Sequence, residues 1–182
     1  MRRTEYRRTS KVHGTKMKPI LIATFGYPGS GKSHFSEKIS KELHYAHLRS
    51  DEIRHQIFLN SKFNLEENIV IFRVMDFLAG KLLSTGVSVI YDANSHLYSQ
   101  RQSLRDIAEK ANARFALIHI ETQLEIAVER ARTREFHPVE RSVVESVRNE
   151  AEDITNEFPI IIDGTKSYEE QKDFIMRELV KK

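Results

Sequence analysis

The sequence contains no cysteine. That excludes a disulfide framework and any thiolate metal site, and it fits a reducing compartment, so a cytoplasmic location is expected. No apolar stretch approaches the length of a membrane span, so a membrane is not an expected partner. The N-terminus is basic but has no apolar core behind it, so no secretory signal is expected. Internal repeats, low-complexity segments and a dividing linker are also missing. His13, His34, His44, His47, His55, His96, His119 and His137 form no paired spacing with acids, and none is assigned to metal. What is there is 182 residues, 40% hydrophobic and 30% charged, an ordinary balance for one domain with a real core.

The charge is unevenly placed. Residues 1–18 carry Arg2, Arg3, Arg7, Arg8, Lys11, Lys16 and Lys18 against Glu5, a charge of +6, so the rest of the chain carries −3. Residues 1–17 read as a basic, disordered arm and residues 18–182 as the folded domain. Contact of the arm with nucleic acid is weakly supported, because the run is short and Tyr6 is its one aromatic. Oligomeric state is not legible.

The stretch that organises the chain is Gly26-Tyr27-Pro28-Gly29-Ser30-Gly31-Lys32-Ser33, the G-x-x-x-x-G-K-S spacing of a phosphate-binding loop. An apolar run over 20–25 precedes it as a buried strand, and a helical stretch from His34 to Leu43 follows. Glycines let the backbone approach an anion closely. The loop amides and the helix N-terminus then form an anion nest. Lys32 supplies a mobile point charge to the outer phosphates, and Ser33 a hydroxyl to Mg²⁺.

Beyond the loop, strands are expected at 44–49, 87–92, 114–120 and 158–163. Helices are expected from Ser50, over 65–82, 99–111, 121–130 and 139–156, and from about Ser167. Leu65, Ile69, Phe72, Met75, Ala79 and Leu82 read as the core stripe of the long helix. Alternating strands and helices predict an α/β fold, a parallel sheet covered on both faces. Ligands of such sheets sit beyond the C-terminal strand ends, so the loop, Asp51, Asp92 and Gly164 are expected on one rim.

Several residues on that rim suit phosphoryl chemistry. Asp51 either accepts a proton from an attacking hydroxyl or caps its helix. Arg54, one turn on, either holds an anion or pairs with a neighbour. Asp92 ends a strand where a carboxylate that serves Mg²⁺ is expected, with substrate binding as the alternative, and Asn94 is a neutral partner beside it. Arg101 and Arg105 share a helix face that meets either a phosphate-bearing substrate or solvent. Arg130 and Arg134 share another face and are placed to close over a triphosphate, with Arg132 turned away.

Together, the Gly26–Ser33 loop, Ser50-Asp51-Glu52-Ile53-Arg54, Tyr91-Asp92-Ala93-Asn94 and the Arg130/Arg134 pair resemble the small P-loop kinases. That group includes polynucleotide 5′-kinase domains, zeta-toxin-like kinases and AAA-type P-loop ATPase relatives. The resemblance covers about residues 18–165. It implies a three-layer P-loop fold with a five-stranded parallel sheet in order 2-3-1-4-5 and a short helical lid at about 130–139. It implies ATP and Mg²⁺ as cofactors, with Asp51 as base and Arg54 on the acceptor or transferred phosphate. It also implies Arg130 and Arg134 on the ATP phosphates, and Asp92, Asn94 and Arg101 near acceptor or metal. The activity implied is transfer of the γ-phosphate of ATP to a hydroxyl, on a polynucleotide 5′ end or a small metabolite. The alternative is an ATP-hydrolysing module that regulates a partner. Ala93 and the lid sequence Phe136-His137-Pro138 depart from the group's pattern.

Overall fold

In a computed structural model of the chain, residues 18–134 and 138–181 are described. The basic arm at 1–17, and Phe136 and His137 of the lid, lie outside the described residues. The first strand, β1 (Ile20–Phe25), is buried at all its positions. Apolar side chains at every position, rather than at alternate ones, are what a strand with helices on both faces requires. After α1 (Lys32–Leu43), β2 (Ala46–Arg49) and α2 (Ser50–Ile57) come α3 (Leu65–Ser84), β3 (Val89–Asp92) and α4 (Tyr98–Lys110). Next are β4 (Arg114–Glu121), α5 (Leu124–Thr133) and α6 (Arg141–Glu150), then a 3-10 turn at Thr155–Glu157, β5 (Ile160–Asp163) and α7 (Tyr168–Lys181).

The five strands pair in the order β2-β3-β1-β4-β5, all parallel. This is the order the resemblance implies. Leu21, Ala23 and Phe25 face a core shared with Tyr91, Leu117 and helices α3 and α4. Ile20 and Ile22 face the opposite core, with Ile90, Ile118, Ile162, α1 and α7. Because every strand points the same way, the loops after β1, β2, β3, β4 and β5 share one edge of the sheet. The expected rim is formed by this topology.

Two elements differ from the sequence reading. The buried stripe of α3 is Glu67, Ile71, Met75, Ala79 and Leu83, while Leu65 and Ile69 are exposed. Spacings of three and four fit either of two adjacent stripes. The choice is set by Glu67, which is drawn inward by Arg54 and by the amides of Lys62 and Phe63. The helix expected to run to Asn156 ends at Glu150. Asp153 takes the amide and hydroxyl of Thr155 at 2.9 and 2.6 Å, a local turn that competes with the helical ladder.

Candidate functional site

The loop after β1 is a tight cradle. Gly29 has φ +81°, and a Cβ there would stand 1.9 Å from the carbonyl oxygen of Ala127 on α5. Gly31 has φ +105° and starts α1 without a side-chain cap, and no acid occupies the helix's first turn. The positive end of the helix dipole therefore faces the loop uncompensated by an acidic side chain. Ser30 N–H donates to the Tyr27 carbonyl at 3.1 Å, and the Tyr27 hydroxyl donates to the Thr122 carbonyl, which ties the loop to the end of β4. Pro28 lies between these anchors.

Lys32 folds back over the cradle. Its ammonium donates to the Gly26 carbonyl and, at 3.2 Å, to the Tyr27 carbonyl. Burial pulls its pKa down to about 8, partly offset by the charges of Asp92 and Asp51. A lysine held by neutral carbonyls in a desolvated place is ready to exchange them for an anion.

Asp92 ends β3 on the α1 side of the sheet and is 3% exposed. Ser33 Oγ donates to its Oδ1 at 3.5 Å, and His47 Nε2 lies 3.2 Å from its Oδ2. A hydroxyl and a carboxylate side by side next to a polyphosphate cradle fit Mg²⁺, which takes few protein oxygens and keeps waters and phosphate oxygens. Among the described residues no cluster of three or more His, Asp or Glu forms a metal site without such a ligand.

Asp51 lies in the first turn of α2, beside the cradle. Its negative charge reaches both the Lys32 ammonium and the Arg134 guanidinium. Arg134 caps the C-terminus of α5, and burial lowers its pKa despite Asp51. Arg130, expected to act beside it, reaches instead across to β5, where Nη1 donates to the Gly164 carbonyl at 2.8 Å. The lid pair is thus divided, with Arg134 on the Asp51 side and Arg130 on the β5 side.

Three arginines are committed elsewhere. Arg54 is 5% exposed, with Nη1 3.1 Å from Glu67 Oε2 and Nη2 on Asn68. Arg101 corrects the expectation of a substrate contact. It is fully buried, paired to Glu157 at 2.7 Å, and donates to the carbonyls of Ser95 and His96 at 3.0 and 2.8 Å. It locks the β3–α4 loop to the segment before β5. Arg105 joins the same Glu157 at 2.6 Å.

Asn94 lies two residues past Asp92, beyond the end of β3. It lines a cleft of about 710 Å³ beneath α6, and its Oδ1 is buried without a hydrogen-bond partner. Sequence reasoning missed this cleft, together with His47 and Arg148. His47 lies in a strand outside any motif, and only the β2–β3 pairing brings it to Asp92.

A family model described as AAA domain matches residues 21–154. A sulfate adenylyltransferase from Neosartorya fischeri is 28% identical over 112 residues, 58% of this chain and 20% of that protein. One from Neurospora crassa is 29% identical over 106 residues, 55% of this chain and 18% of that protein. The chain therefore spans about a fifth of the length of these relatives. A gluconokinase structure from Sinorhizobium meliloti superposes with a TM-score of 0.69 at 19% identity, covering 91% of this chain and 94% of that one. A Mycobacterium tuberculosis APS kinase in complex with AMPPNP and APS gives 0.65 at 19% identity, covering 90% and 98%.

Proposed function

Given that the chain belongs to the AAA-domain family, we propose that it is an ATP-dependent phosphotransferase that moves the γ-phosphate to a hydroxyl acceptor. The observation that carries the reading is the proximity of Asp51 to both Lys32 and Arg134 at the loop. A carboxylate and two cations around one cradle supply a proton acceptor and charge neutralisation for in-line transfer.

In this reading the amides of the Gly26–Ser33 loop bind the phosphates. Lys32 leaves the Gly26 and Tyr27 carbonyls for the β,γ-oxygens. Ser33 and Asp92 would hold Mg²⁺, which when bound would neutralise charge on the phosphate oxygens. The acceptor oxygen forms its bond to the γ-phosphorus as the bond to the β,γ-bridging oxygen breaks. Asp51 receives the hydroxyl proton, ADP leaves, and Arg134 steadies the transferring group. Arg130 positions α5 against the β5–α7 loop. Arg54 keeps α2 fixed on α3 rather than meeting the acceptor.

The test is incubation with γ-labelled ATP, Mg²⁺ and separate pools of candidate acceptors. Label in an acceptor supports transfer. Release of inorganic phosphate alone, with no labelled product, contradicts it and identifies a hydrolase.

A further inference from the structure

Building on the phosphotransferase reading, we infer that Arg49 recognises the acceptor, and that the acceptor is a small molecule with an oxyanion, a carboxylate or a phosphate or sulfate ester, near its reacting hydroxyl. Arg49 ends β2 and is the N-cap of α2, two positions before Asp51. The β2–β3 register sets it level with Asp92. Residues level on parallel neighbours share a sheet face, as Leu48 and Tyr91 do one position back in the α3-side core. Asp92 meets Ser33 on the α1 side, so Arg49 projects from that face too. It stands on the edge strand, two strands out from β1 and its phosphate loop. An acceptor whose hydroxyl meets Asp51 therefore has Arg49 within a side chain's reach.

The guanidinium is uncommitted. Arg54, which the resemblance assigns to the acceptor, is held by Glu67 and Asn68, and Arg101 and Arg105 are held by Glu157. Among the described residues no ion pair or hydrogen bond engages the Arg49 side chain. Its Nε is enclosed, while the residue as a whole stays partly exposed and its two Nη groups remain open. The nearby charges do not balance it. Arg134 feels the charges of both Asp51 and Arg49, one carboxylate against two guanidiniums. Glu37 on α1 also feels Arg49, but it is bonded to Lys41 at 2.6 Å. Lys32, at the phosphate end, answers instead to Asp92, Asp51 and Arg134, which leaves Arg49 on the acceptor side of the centre. A planar guanidinium pairs with a carboxylate or phosphate through two parallel N–H bonds, and a neutral hydroxyl would leave its charge unanswered. One such fork suits one oxyanion. A polynucleotide backbone calls for several cationic contacts, and the chain beyond residue 18 carries −3.

The experiment compares label transfer from γ-labelled ATP to sugar acids, to sugar phosphates and sulfates, to the matching neutral sugars, and to oligonucleotides with a 5′ hydroxyl. One of the small anionic pools is expected to lead its neutral counterpart in kcat/KM by about tenfold or more, and the leading pool separates a carboxylate from an ester. Arg49→Gln is expected to raise the KM of that acceptor by about tenfold or more while the Kd of ATP stays within about twofold. Arg49→Lys, the second variant, keeps the charge without the fork and is expected to fall between the two. Preference for the neutral or oligonucleotide pool overturns the inference. So does an acceptor KM unmoved by Arg49→Gln, or a loss confined to ATP affinity. Phosphate release with no labelled acceptor would instead defeat the phosphotransferase reading. Arg49 is then judged by calorimetric titration of the complex with Mg²⁺ and a non-hydrolysable ATP analogue, using the same sugar acids, phosphates and sulfates. Absence of binding, or equal binding by the unaltered protein and Arg49→Gln, overturns the inference independently.

Discussion

Ser33 Oγ stands 3.5 Å from Asp92 Oδ1, a hydroxyl from the start of α1 directed at a carboxylate from the end of β3. The two come from strands and helices 59 residues apart in sequence, and the pairing of β1 with β3 brings them together. His47 occupies the other carboxylate oxygen and fixes the group's rotation.

If this pair serves Mg²⁺, Ser33→Ala and Asp92→Asn should each raise the Mg²⁺ concentration needed for half-maximal activity. His47→Ala should do so less, by about 10-fold, in the range seen when groups that orient metal ligands are removed. Titration of activity with Mg²⁺ at saturating ATP measures all three. An unchanged requirement in Asp92→Asn would move the metal elsewhere.

Lys32 gives a pH dependence with a definite sign. Its pKa in the free protein is about 8, lowered from the ordinary lysine value by burial. The charged form, which attracts phosphate, predominates below that value and is lost above it. Affinity for a non-hydrolysable ATP analogue should therefore be flat at pH 6.5–7 and fall as pH rises through about 8. Lys32→Ala should bind far more weakly and lose this dependence. Calorimetry across the pH series checks both.

Arg101 should matter to stability rather than to acceptor affinity. Arg101→Met removes one of the two arginines on the buried Glu157 side chain, leaving Arg105, and takes a donor from four backbone carbonyls, those of Ser95, His96, Glu152 and Asp153. Breaking a buried pair from one side costs about 3–5 kcal/mol. Denaturant unfolding should show that loss. Glu157→Gln should cost less, because it removes the charge and keeps a hydrogen-bonding group. A variant of full stability with weakened acceptor binding would restore Arg101 to the site.

What the sequence made legible was what depends on local order. The glycine loop, its flanking strand and helix, and the sheet order all followed from spacing and resemblance. Asp51 could be singled out in the sequence because it begins a helix just past a strand. The fates of the arginines were not legible. Arg54, Arg101, Arg130 and Arg134 are equivalent in spacing arguments, and only tertiary structure shows which meet Glu67, Glu157, Gly164 or the cradle. The stripe of α3 was misplaced for the same reason, since Glu67 is buried through Arg54 and a loop rather than through its own apolar character. Asn94 and Arg148 lie 54 positions apart in sequence and line one cleft, which no spacing argument shows.

The most direct measurement is single-turnover γ-phosphoryl transfer by Asp51→Asn beside the unaltered protein, with ATP affinity determined on the same samples. Transfer slowed by about a hundredfold or more, with ATP affinity intact, is the predicted result for a lost proton acceptor. Transfer at the unaltered rate would contradict the account.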